Sequence, residues 1–317
     1  MRFLDLQSFS LPVLIPIFVV SAFLVYWAGT RLSYHAESLS DKTGLGKAFV
    51  GSLFLGGITS LPEVATTLTA VFEDQPQMAA SNLLGGVAMQ VALLAIADTA
   101  IRKNSLSSLS SNAVVLLQGV TLIFSLTIVA AFVLVPGFAV FHLGIGSICV
   151  FIAFVISLYL VHQFRFLYWL HYNPTSRDSL EEDIEILQQK ITAFEEKEMD
   201  EKKEQTRKTI REALLSKTGT WLLGLSVAIF IGGFMVVRSS EVIAAQTGLS
   251  TNLAGFVLIA LTTSLPELST TISSVRNGQY ELAFSNIMGT NLFDLALLFV
   301  ADLFYFQGSI FQEIDRL

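Results

Sequence analysis

The sequence is short of charge, of cysteine and of catalytic motifs. Only 14% of its residues are charged, against roughly 25% in a typical soluble domain, and the charges are concentrated in one stretch, 177–213. The single cysteine, Cys149, excludes an internal disulfide and a thiolate metal cluster. No nucleophile–base pair and no glycine-rich phosphate loop is evident, so neither an enzyme nor a cofactor is predicted. No small-residue cleavage site follows the first apolar run, so a cleaved signal peptide is not indicated.

Apolar residues, by contrast, are abundant. They make up 53% of the chain, and 25 of them are phenylalanines. Runs of about 20 apolar residues are typical of transmembrane helices. We therefore predict an all-α, polytopic membrane protein with about eight spans. These lie near 11–30, 45–72, 77–101, 112–135, 139–163, 219–243, 248–275 and 279–305.

A stretch present twice organises the chain. The run Thr-Ser-Leu-Pro-Glu at 59–63 recurs at 263–267, and Ser-Asn-x-x-Gly at 81–85 recurs at 285–289. Every element of the second copy lies 204 positions after the first, and 18 of 43 positions are identical between 56–98 and 260–302. Spacing this strict across two interrupted apolar helices indicates an internal duplication.

The positions of Lys and Arg predict how the two copies cross the bilayer. Positive residues occur in alternate connections, and the positive-inside rule places those connections in the cytoplasm and the N-terminus outside. Five spans precede the large charged loop, so the two copies cross in opposite directions. Such inverted repeats are common in secondary transporters. We expect a protein of the prokaryotic inner membrane in three parts: a first half, 1–163, with repeat 45–101; a cytoplasmic helical loop, 164–218; and a second half, 219–317, with repeat 248–305.

The large loop contains an amphipathic pattern. Its apolar residues fall at alternating four- and three-residue spacing among Glu and Lys, which predicts a helix with a short heptad seam. A solvated connector helix is favoured, and a contact between copies through 177–213 or a helix lying on the membrane surface is the alternative. The acids of the loop lack the spacing of a calcium-binding loop. The seam residues are Leu180, Ile184, Leu187, Ile191 and Phe194.

Two glutamates within apolar spans are the first candidates for chemistry. A carboxylate at the bilayer centre costs about 2.5–3.5 kcal/mol, so Glu63 and Glu267 indicate a functional site. Pro62 lacks an N–H and clashes with the carbonyl four residues earlier, so we expect free carbonyls from Gly56 to Thr59. Hydroxyl, carboxylate and carbonyl oxygens together suit a hard cation such as Ca²⁺ or Na⁺. A proline kink with a Ser/Thr patch is the alternative. The full set is Gly56, Thr59, Ser60 and Glu63, repeated as Ala260, Thr263, Ser264 and Glu267.

The next helix of each copy adds further oxygens. Three positions at i, i+4 and i+8 share one face in each copy. Asp294 supplies a third carboxylate within a span, whereas its counterpart Gln90 is neutral. Gly85 and Gly289 allow a close approach of helices, which packing alone would also explain. The two faces consist of Asn82, Gly86 and Gln90 in the first copy and Asn286, Thr290 and Asp294 in the second.

Two other charged pairs receive structural interpretations. Asp98 and Asp302 are repeat counterparts near the ends of their spans, and we interpret them as interfacial or capping residues. Glu241 follows Arg238 by three positions, and we interpret these two as a pair at the end of a helix.

The duplicated motifs resemble the two α-repeats of the cation/Ca²⁺ antiporter superfamily, and most of all its sodium/calcium exchanger branch. The resemblance covers 45–101 and 248–305 closely. It implies a cation site between the four repeat helices and a secondary antiporter that exchanges Ca²⁺ for Na⁺ or H⁺ by alternating access. The ligands it implies are the side chains of Glu63, Glu267, Asp294, Gln90 and Thr290 and backbone oxygens near Gly56, Thr59, Ala260 and Thr263.

The sequence also departs from the family pattern. The usual Gly-Ser-Asn-x-x-Asn of the first repeat reads Gly-Gly-Val-Ala-Met-Gln at 85–90, so one hydroxyl ligand is absent and Gln replaces Asn. This leaves open an exchanger of Mg²⁺ or another divalent cation for H⁺. The family plan has ten helices and the chain provides eight, so we expect the last two to be missing. A truncated cation-binding membrane protein that does not transport is a further alternative.

Overall fold

The computed structural model describes residues 6–99, 101, 113–135, 139–171, 208, 212, 217–248 and 261–314. Ala260, the first part of the seventh predicted span and most of the loop 164–218 lie outside these residues. The predictions of an amphipathic helix and of a contact between copies through 177–213 therefore stay untested.

Helices make up nearly all of the described chain. A 3₁₀ turn, Leu6–Ser8, comes first, and a short hairpin of β1 and β2 joins two of the later helices. β1 pairs with β2 in antiparallel fashion. The elements are α1 Leu11–Thr43, α2 Lys47–Phe49, a π-helical turn Val50–Leu55, α3 Gly56–Thr59, α4 Leu61–Phe72, α5 Pro76–Thr99, α6 Ala113–Leu134, β1 Ala139–Val140, β2 Leu143–Gly144, α7 Ile145–His171, α8 Lys217–Thr247, α9 Leu265–Arg276, α10 Tyr280–Phe304 and α11 Ile310–Ile314.

The all-α membrane fold is confirmed. Within the described residues, five helices are long and apolar enough to cross a membrane, namely α1, α5, α6, α8 and α10. The bent pair Lys47–Thr59 and Leu61–Phe72, with a 45° angle, can form a sixth span. Ile145–Val161 is a shorter apolar helix. The count of eight spans stays a prediction.

The first helix is longer than predicted, because α1 continues from position 30 to Thr43. Leu32, Ala36 and Leu39 recur at helical spacing in this extension and are fully buried in a cluster with residues of α8. The helix ends at Gly44, which takes the left-handed conformation with φ 61° that glycine adopts at low cost. An apolar face therefore extends the helix beyond its most apolar segment.

The chain is interrupted at Ser60, between α3 and α4. Pro62 lies in the first turn of α4, where its missing N–H costs nothing, and a π-helical turn precedes α3. The Gly56 carbonyl nevertheless accepts hydrogen bonds from Ser60 N at 3.0 Å and from Thr59 Oγ1 at 3.2 Å. The expectation of a free carbonyl is thus wrong for Gly56, because the residues before the break satisfy it locally.

The two copies share the same backbone geometry. Val64 N donates to Ser60 O at 3.0 Å, and its counterpart Leu268 N donates to Ser264 O at 3.0 Å. The turns after α4 and α9 are closed by equivalent bonds of 2.8 Å from the amides of Gln75 and Gln279. In both turns the second residue after the helix is in the left-handed region, with φ 60° at Asp74 and 73° at Gly278. The duplication is therefore structural as well as sequential.

The copies run in opposite directions. At the end of α4, the ring of Phe72 lies 5.9 Å from that of Phe304, the last residue of α10. At the end of α9, Gln279 is hydrogen bonded to Lys47 and to Glu37, beside the start of α10. Because α10 is a single helix, α4 and α9 end at opposite ends of the bundle. The predicted inverted repeat is confirmed, and we name these two ends the Phe72 end and the Lys47 end.

α10 is the central helix of the described bundle. It packs against α4, α5, α6, α7 and α9, while α1 packs against α8 and α9. At Gly289, a Cβ atom would lie 2.2 Å from the Cα of Ser52, so the π-helical turn and α10 are in backbone contact. Glycine is needed at this crossing, in agreement with its predicted packing role.

Asp302 caps other elements from a fully buried position at the end of α10. Its Oδ2 accepts hydrogen bonds from Gly144 N at 2.6 Å and Ser147 Oγ at 2.5 Å, and its Oδ1 accepts one from Ile310 N at 2.7 Å. The capping interpretation of Asp302 is thus confirmed.

Candidate functional site

The three predicted carboxylates meet in the centre of the bundle. Glu63 and Glu267 lie in the first turns of α4 and α9, directly after the breaks at Ser60 and Ser264. Glu63 is 3% exposed, and Glu267 and Asp294 are fully buried. Glu63 interacts electrostatically with both of the other carboxylates. The helix breaks of both copies therefore direct acidic side chains toward the middle of α10.

Gln90 and Asp294 are paired with each other. Gln90 Nε2 donates to Asp294 Oδ2 at 2.7 Å, across 204 positions of sequence. Since this separation equals the repeat offset, the bond joins two counterpart residues across the internal pseudo-twofold axis. Gly86 is close by, because a Cβ atom placed there would lie 3.9 Å from Asp294 Oδ2.

Threonines occupy the other side of the same region. Thr59 Oγ1 lies 3.4 Å from Thr290 Oγ1 and donates to Leu55 O at 2.9 Å. Gly56 packs on the backbone of α10, where a Cβ atom would be 2.8 Å from Thr290 N. Thr263 is buried with 3% exposure, and Ala260 lies outside the described residues.

The two predicted asparagines connect the paired helices of each copy. Asn82 Nδ2 donates to Thr66 Oγ1 at 3.4 Å. The counterpart Asn286 Nδ2 donates to Thr270 Oγ1 at 2.9 Å and to Thr271 Oγ1 at 3.2 Å. These bonds hold α5 against α4 and α10 against α9, so each asparagine braces its helix pair. Coordination of a cation by either asparagine stays a prediction.

Many oxygens around the three carboxylates have no partner at hydrogen-bond geometry, although the side chains of Thr59 and Ser60 lie close enough to interact with Glu267 and Asp294. Buried polar atoms are normally paired, so a group of unpaired ones calls for an explanation, and an unpaired buried carboxylate is especially costly. A cation held by these oxygens would satisfy them. The unpaired oxygens of the predicted site residues are Ser60 Oγ, Glu63 Oε2, Gln90 Oε1, Ser264 Oγ, Glu267 Oε1 and Oε2, Asn286 Oδ1 and Asp294 Oδ1.

The residue types determine which cations fit. Among the described residues, no three His, Cys, Asp or Glu side chains form a group that could hold a metal ion by itself. Hydroxyl, amide and backbone oxygens would therefore have to complete the coordination. Such a set of oxygens suits hard cations such as Ca²⁺ and Na⁺.

Two further residues near the site were not predicted from the sequence. Thr67 Oγ1 and both amide atoms of Asn291 are buried and unpaired. Thr67 follows Glu63 by four positions, so helical spacing could have identified it. Asn291 follows Thr290 directly but is off the face shared by Thr290 and Asp294, so helical spacing does not single it out.

Three comparisons with known proteins point to one family. The profile described as "Sodium/calcium exchanger protein" matches residues 13–160 and 218–312. The chain is 27% identical to the inner membrane protein YrbG of Escherichia coli, over 88% of this chain and 76% of YrbG. It is 25% identical to the putative antiporter CaxA of Alkalimonas amylolytica, over 87% of this chain and 76% of CaxA.

The fold comparison agrees with the sequence comparisons. The structure superposes on that of the sodium-calcium exchanger NCX_Mj with a TM-score of 0.61 and 15% sequence identity, over 95% of this chain and 84% of NCX_Mj. The family profile covers most of the chain and includes every described residue of the candidate site. The chain therefore belongs to the sodium/calcium exchanger family.

Proposed function

We propose that the chain is a secondary antiporter that exchanges Ca²⁺ for Na⁺ or H⁺ at the central site. The observation that carries this proposal is the group of unpaired, buried oxygens contributed by both repeats. The names of two relatives support it, since CaxA is named a putative antiporter and NCX_Mj a sodium-calcium exchanger.

Electrostatics gives a mechanism for obligatory exchange. Three buried carboxylates cannot all remain charged together in an apolar site without a compensating positive charge. One divalent cation, several monovalent cations or protons can provide that charge, and they compete for the same oxygens. If only the neutralised site changes its exposure between the two sides of the membrane, each cation leaves in exchange for another.

Positive charge suggests the orientation. Lys42 donates to Thr218 and Lys47 contacts Gln279, so Lys42, Lys47, Lys217 and Arg276 all lie toward the Lys47 end. We infer from the positive-inside rule that this end faces the cytoplasm. The Phe72 end then faces outward, together with the start of α1. Just before α1, the Phe9 carbonyl accepts a bond of 2.9 Å from Gln246, which is near the end of α8.

A Mg²⁺/H⁺ exchanger is the second candidate. The observation that favours it is the composition of the α5 side, where Gly86 provides no hydroxyl and Gln90 provides an amide in place of a carboxylate. Fewer protein ligands would leave space for the bound waters that Mg²⁺ tends to keep.

Flux measurements on the purified protein in liposomes test both candidates. We expect ⁴⁵Ca²⁺ uptake when an outward Na⁺ or H⁺ gradient is imposed, and little inhibition by equimolar Mg²⁺. Glu63→Gln and Glu267→Gln should each lower the uptake by about a hundredfold or more while the protein stays folded, because each variant removes a charge that the divalent ion requires.

Three results would contradict the proposal in different ways. Uptake of Mg²⁺ in preference to Ca²⁺ would favour the second candidate. Cation binding by calorimetry without any flux would indicate a binding protein that does not transport. Full transport by either glutamine variant would remove that glutamate from the site.

A further inference from the structure

A cavity lies outside the central site, between α8 and the hairpin of α4 and α5. Its lining includes Thr66 and Thr69 of α4, Asn82 of α5, and Arg238 and Glu241 of α8. Glu73, at the last turn of α4, lines it as well, so the cavity lies toward the Phe72 end. Its lining includes charged and polar side chains. Such residues are costly within an apolar bundle and therefore indicate a functional site.

The inner end of this cavity adjoins the central site. Thr66 Oγ1 donates to the carbonyl of Glu63 at 3.1 Å and accepts the bond from Asn82. Glu63 itself is one helical turn deeper than Thr66. At that depth α8 closes against α4, because a Cβ atom at Gly233 would lie 2.3 Å from Pro62 Cγ. The cavity thus leads down to the turn that carries Glu63.

The wall of the cavity carries one ion pair. Arg238 Nη1 lies 3.1 Å from Glu241 Oε2, and their side chains are 30% and 22% exposed. α8 ends only at Thr247, so the pair lies about two turns inside the helix. Arg238 is about 7.5 Å along α8 from Gly233, at 1.5 Å per residue. The predicted pairing of Arg238 with Glu241 is therefore confirmed, but its predicted position at the end of the helix is wrong.

An unpaired arginine here would oppose a cation that approaches Glu63. The backbone of Arg238 is no further along α8 from the closed contact at Gly233 than about one Debye length, roughly 8 Å at physiological salt. Glu241 cancels this charge locally, and Glu73 interacts electrostatically with Glu241. Acidic residues lining a cleft also raise the local concentration of cations.

We propose that this cavity is the access route for cations from the Phe72 end. Glu241 neutralises the charge of Arg238 and so allows cations to enter the route. The proposal rests on the transport function proposed above and adds a specific electrostatic control of cation uptake. It assigns Arg238 and Glu241 a role in access and not in coordination, since both line the cavity and lie beyond the contact of Gly233 with Pro62 along α8.

Flux from the Phe72 side tests the proposal through changes of opposite sign. Glu241→Gln should raise the apparent KM for Ca²⁺ on that side about fivefold, because it exposes the arginine charge. Arg238→Gln should lower that KM about twofold, and the double variant should return to near the wild-type value. Each change should shrink as ionic strength rises. Arg276→Gln, which removes a positive charge at the Lys47 end, is the matched control and should not alter this KM.

Thiol modification provides a readout that does not depend on transport. In a Cys149→Ser background, Thr69→Cys places a thiol in the cavity. A cationic methanethiosulfonate should react with it more slowly when Glu241→Gln is added and faster when Arg238→Gln is added, while a neutral reagent should show neither change. Equal rates for the cationic reagent in all three proteins would overturn the proposal.

The outcomes separate this proposal from the transport function. Loss of flux in Glu63→Gln with unchanged KM in both pair variants would retain the antiporter and reject the access route. An increase of KM in both pair variants would show that the pair only stabilises the fold. Absence of flux in the wild type, combined with the expected thiol reactivities, would reject transport but retain a cation-accessible cavity.

Discussion

The two repeats have the same frame but different chemistry. Their breaks, turns and bracing asparagines superimpose in hydrogen-bond pattern, down to the left-handed residue in each turn. Their charges differ where they meet, because Gln90 of the first copy donates to Asp294 of the second. The duplicated backbone therefore places oxygen atoms at equivalent positions in the two repeats. Differences at single positions, such as Gln90 and Asp294, determine the charge that each repeat contributes to the site.

The outer faces of the repeats differ as well. α9 presents serines to α1, where Ser274 Oγ lies 2.7 Å from Ser33 Oγ and Ser269 packs against Gly29. The counterparts of these two serines on α4 are alanines, and α4 contacts α8 through Pro62 and Gly233. A hydroxyl-lined contact thus supports one copy, while a cavity lies beside the other. The two sides of the site are accordingly expected to differ in cation access.

The largest expected effect comes from a test of whether the two repeats cross the membrane in opposite directions. In a Cys149→Ser background, a cysteine at Glu73 should be labelled by an impermeant thiol reagent from outside only, and one at Arg276 from the cytoplasm only. The positions are one apart in repeat coordinates, and the structure places them at opposite ends of the bundle. We expect nearly complete labelling of each cysteine from one side of the membrane and almost none from the other. Labelling of both cysteines from one side would reject the inverted arrangement in the membrane.

Much of this arrangement could be predicted from the sequence, because the duplicated motif carries spacing and direction. The alternation of positive charge predicted that α4 and α9 run oppositely, and the intramembrane carboxylates predicted the centre. The pairing of Gln90 with Asp294 could not be predicted, since helical spacing shows which face a residue occupies but not which helix lies opposite. The length of α1 was also missed, because its last turns are amphipathic and not uniformly apolar.

Exchange of the divergent pair gives the next largest effect. Asp294→Asn should reduce Ca²⁺ affinity by about tenfold or less, equivalent to about 1.4 kcal/mol, because both glutamates still match the divalent charge. The pH profile of flux should change, because the variant removes a buried carboxyl group that can bind a proton when no metal cation occupies the site. Gln90→Asp should make flux more dependent on pH, because it places two carboxylates where a 2.7 Å bond now joins an amide to Asp294.

The double variant Gln90→Asp/Asp294→Asn is the control that keeps the number of carboxylates at the site unchanged. It moves the carboxylate to the other repeat and should recover a pH profile close to that of the wild type. Flux is measured from pH 5 to 9 with Na⁺ held constant. Profiles that superimpose for wild type and Asp294→Asn at normal Ca²⁺ affinity would exclude Asp294 as the coupling group.

Restoration of the hydroxyl missing from the first repeat should have a smaller effect. Gly86→Ser supplies the counterpart of the Thr290 hydroxyl, and space exists because the nearest atom to a Cβ there is Asp294 Oδ2 at 3.9 Å. We expect the ratio of Ca²⁺ to Mg²⁺ affinity to rise about threefold, which is less than 1 kcal/mol. Gly57→Ser is the matched control, because a Cβ at Gly57 meets nothing within 4 Å. Equal ratios in the two variants would show that the hydroxyl adds nothing to selectivity.

The bracing asparagines should have the smallest effect on transport, and their variants separate support of the fold from coordination of the cation. Asn286 is fully buried and makes two bonds, whereas Asn82 is partly exposed and makes one at 3.4 Å. Interhelical hydrogen bonds in membranes contribute about 0.6 kcal/mol on average and up to about 1.7. Without cations, Asn286→Ala should therefore lower the free energy of unfolding by about 1–2 kcal/mol and Asn82→Ala by about 0.5 kcal/mol, measured by denaturation in detergent.

A second measurement, with Ca²⁺ present, tests coordination. Bound Ca²⁺ stabilises the folded state by an amount that increases with its affinity. If Asn286 only braces α10 against α9, saturating Ca²⁺ should raise Tm by a similar amount in Asn286→Ala and in wild type. Loss of that Ca²⁺-dependent shift in Asn286→Ala, with the shift kept in Asn82→Ala, would instead make the unpaired Asn286 Oδ1 a ligand, and the two repeats would then differ in coordination as well as in charge.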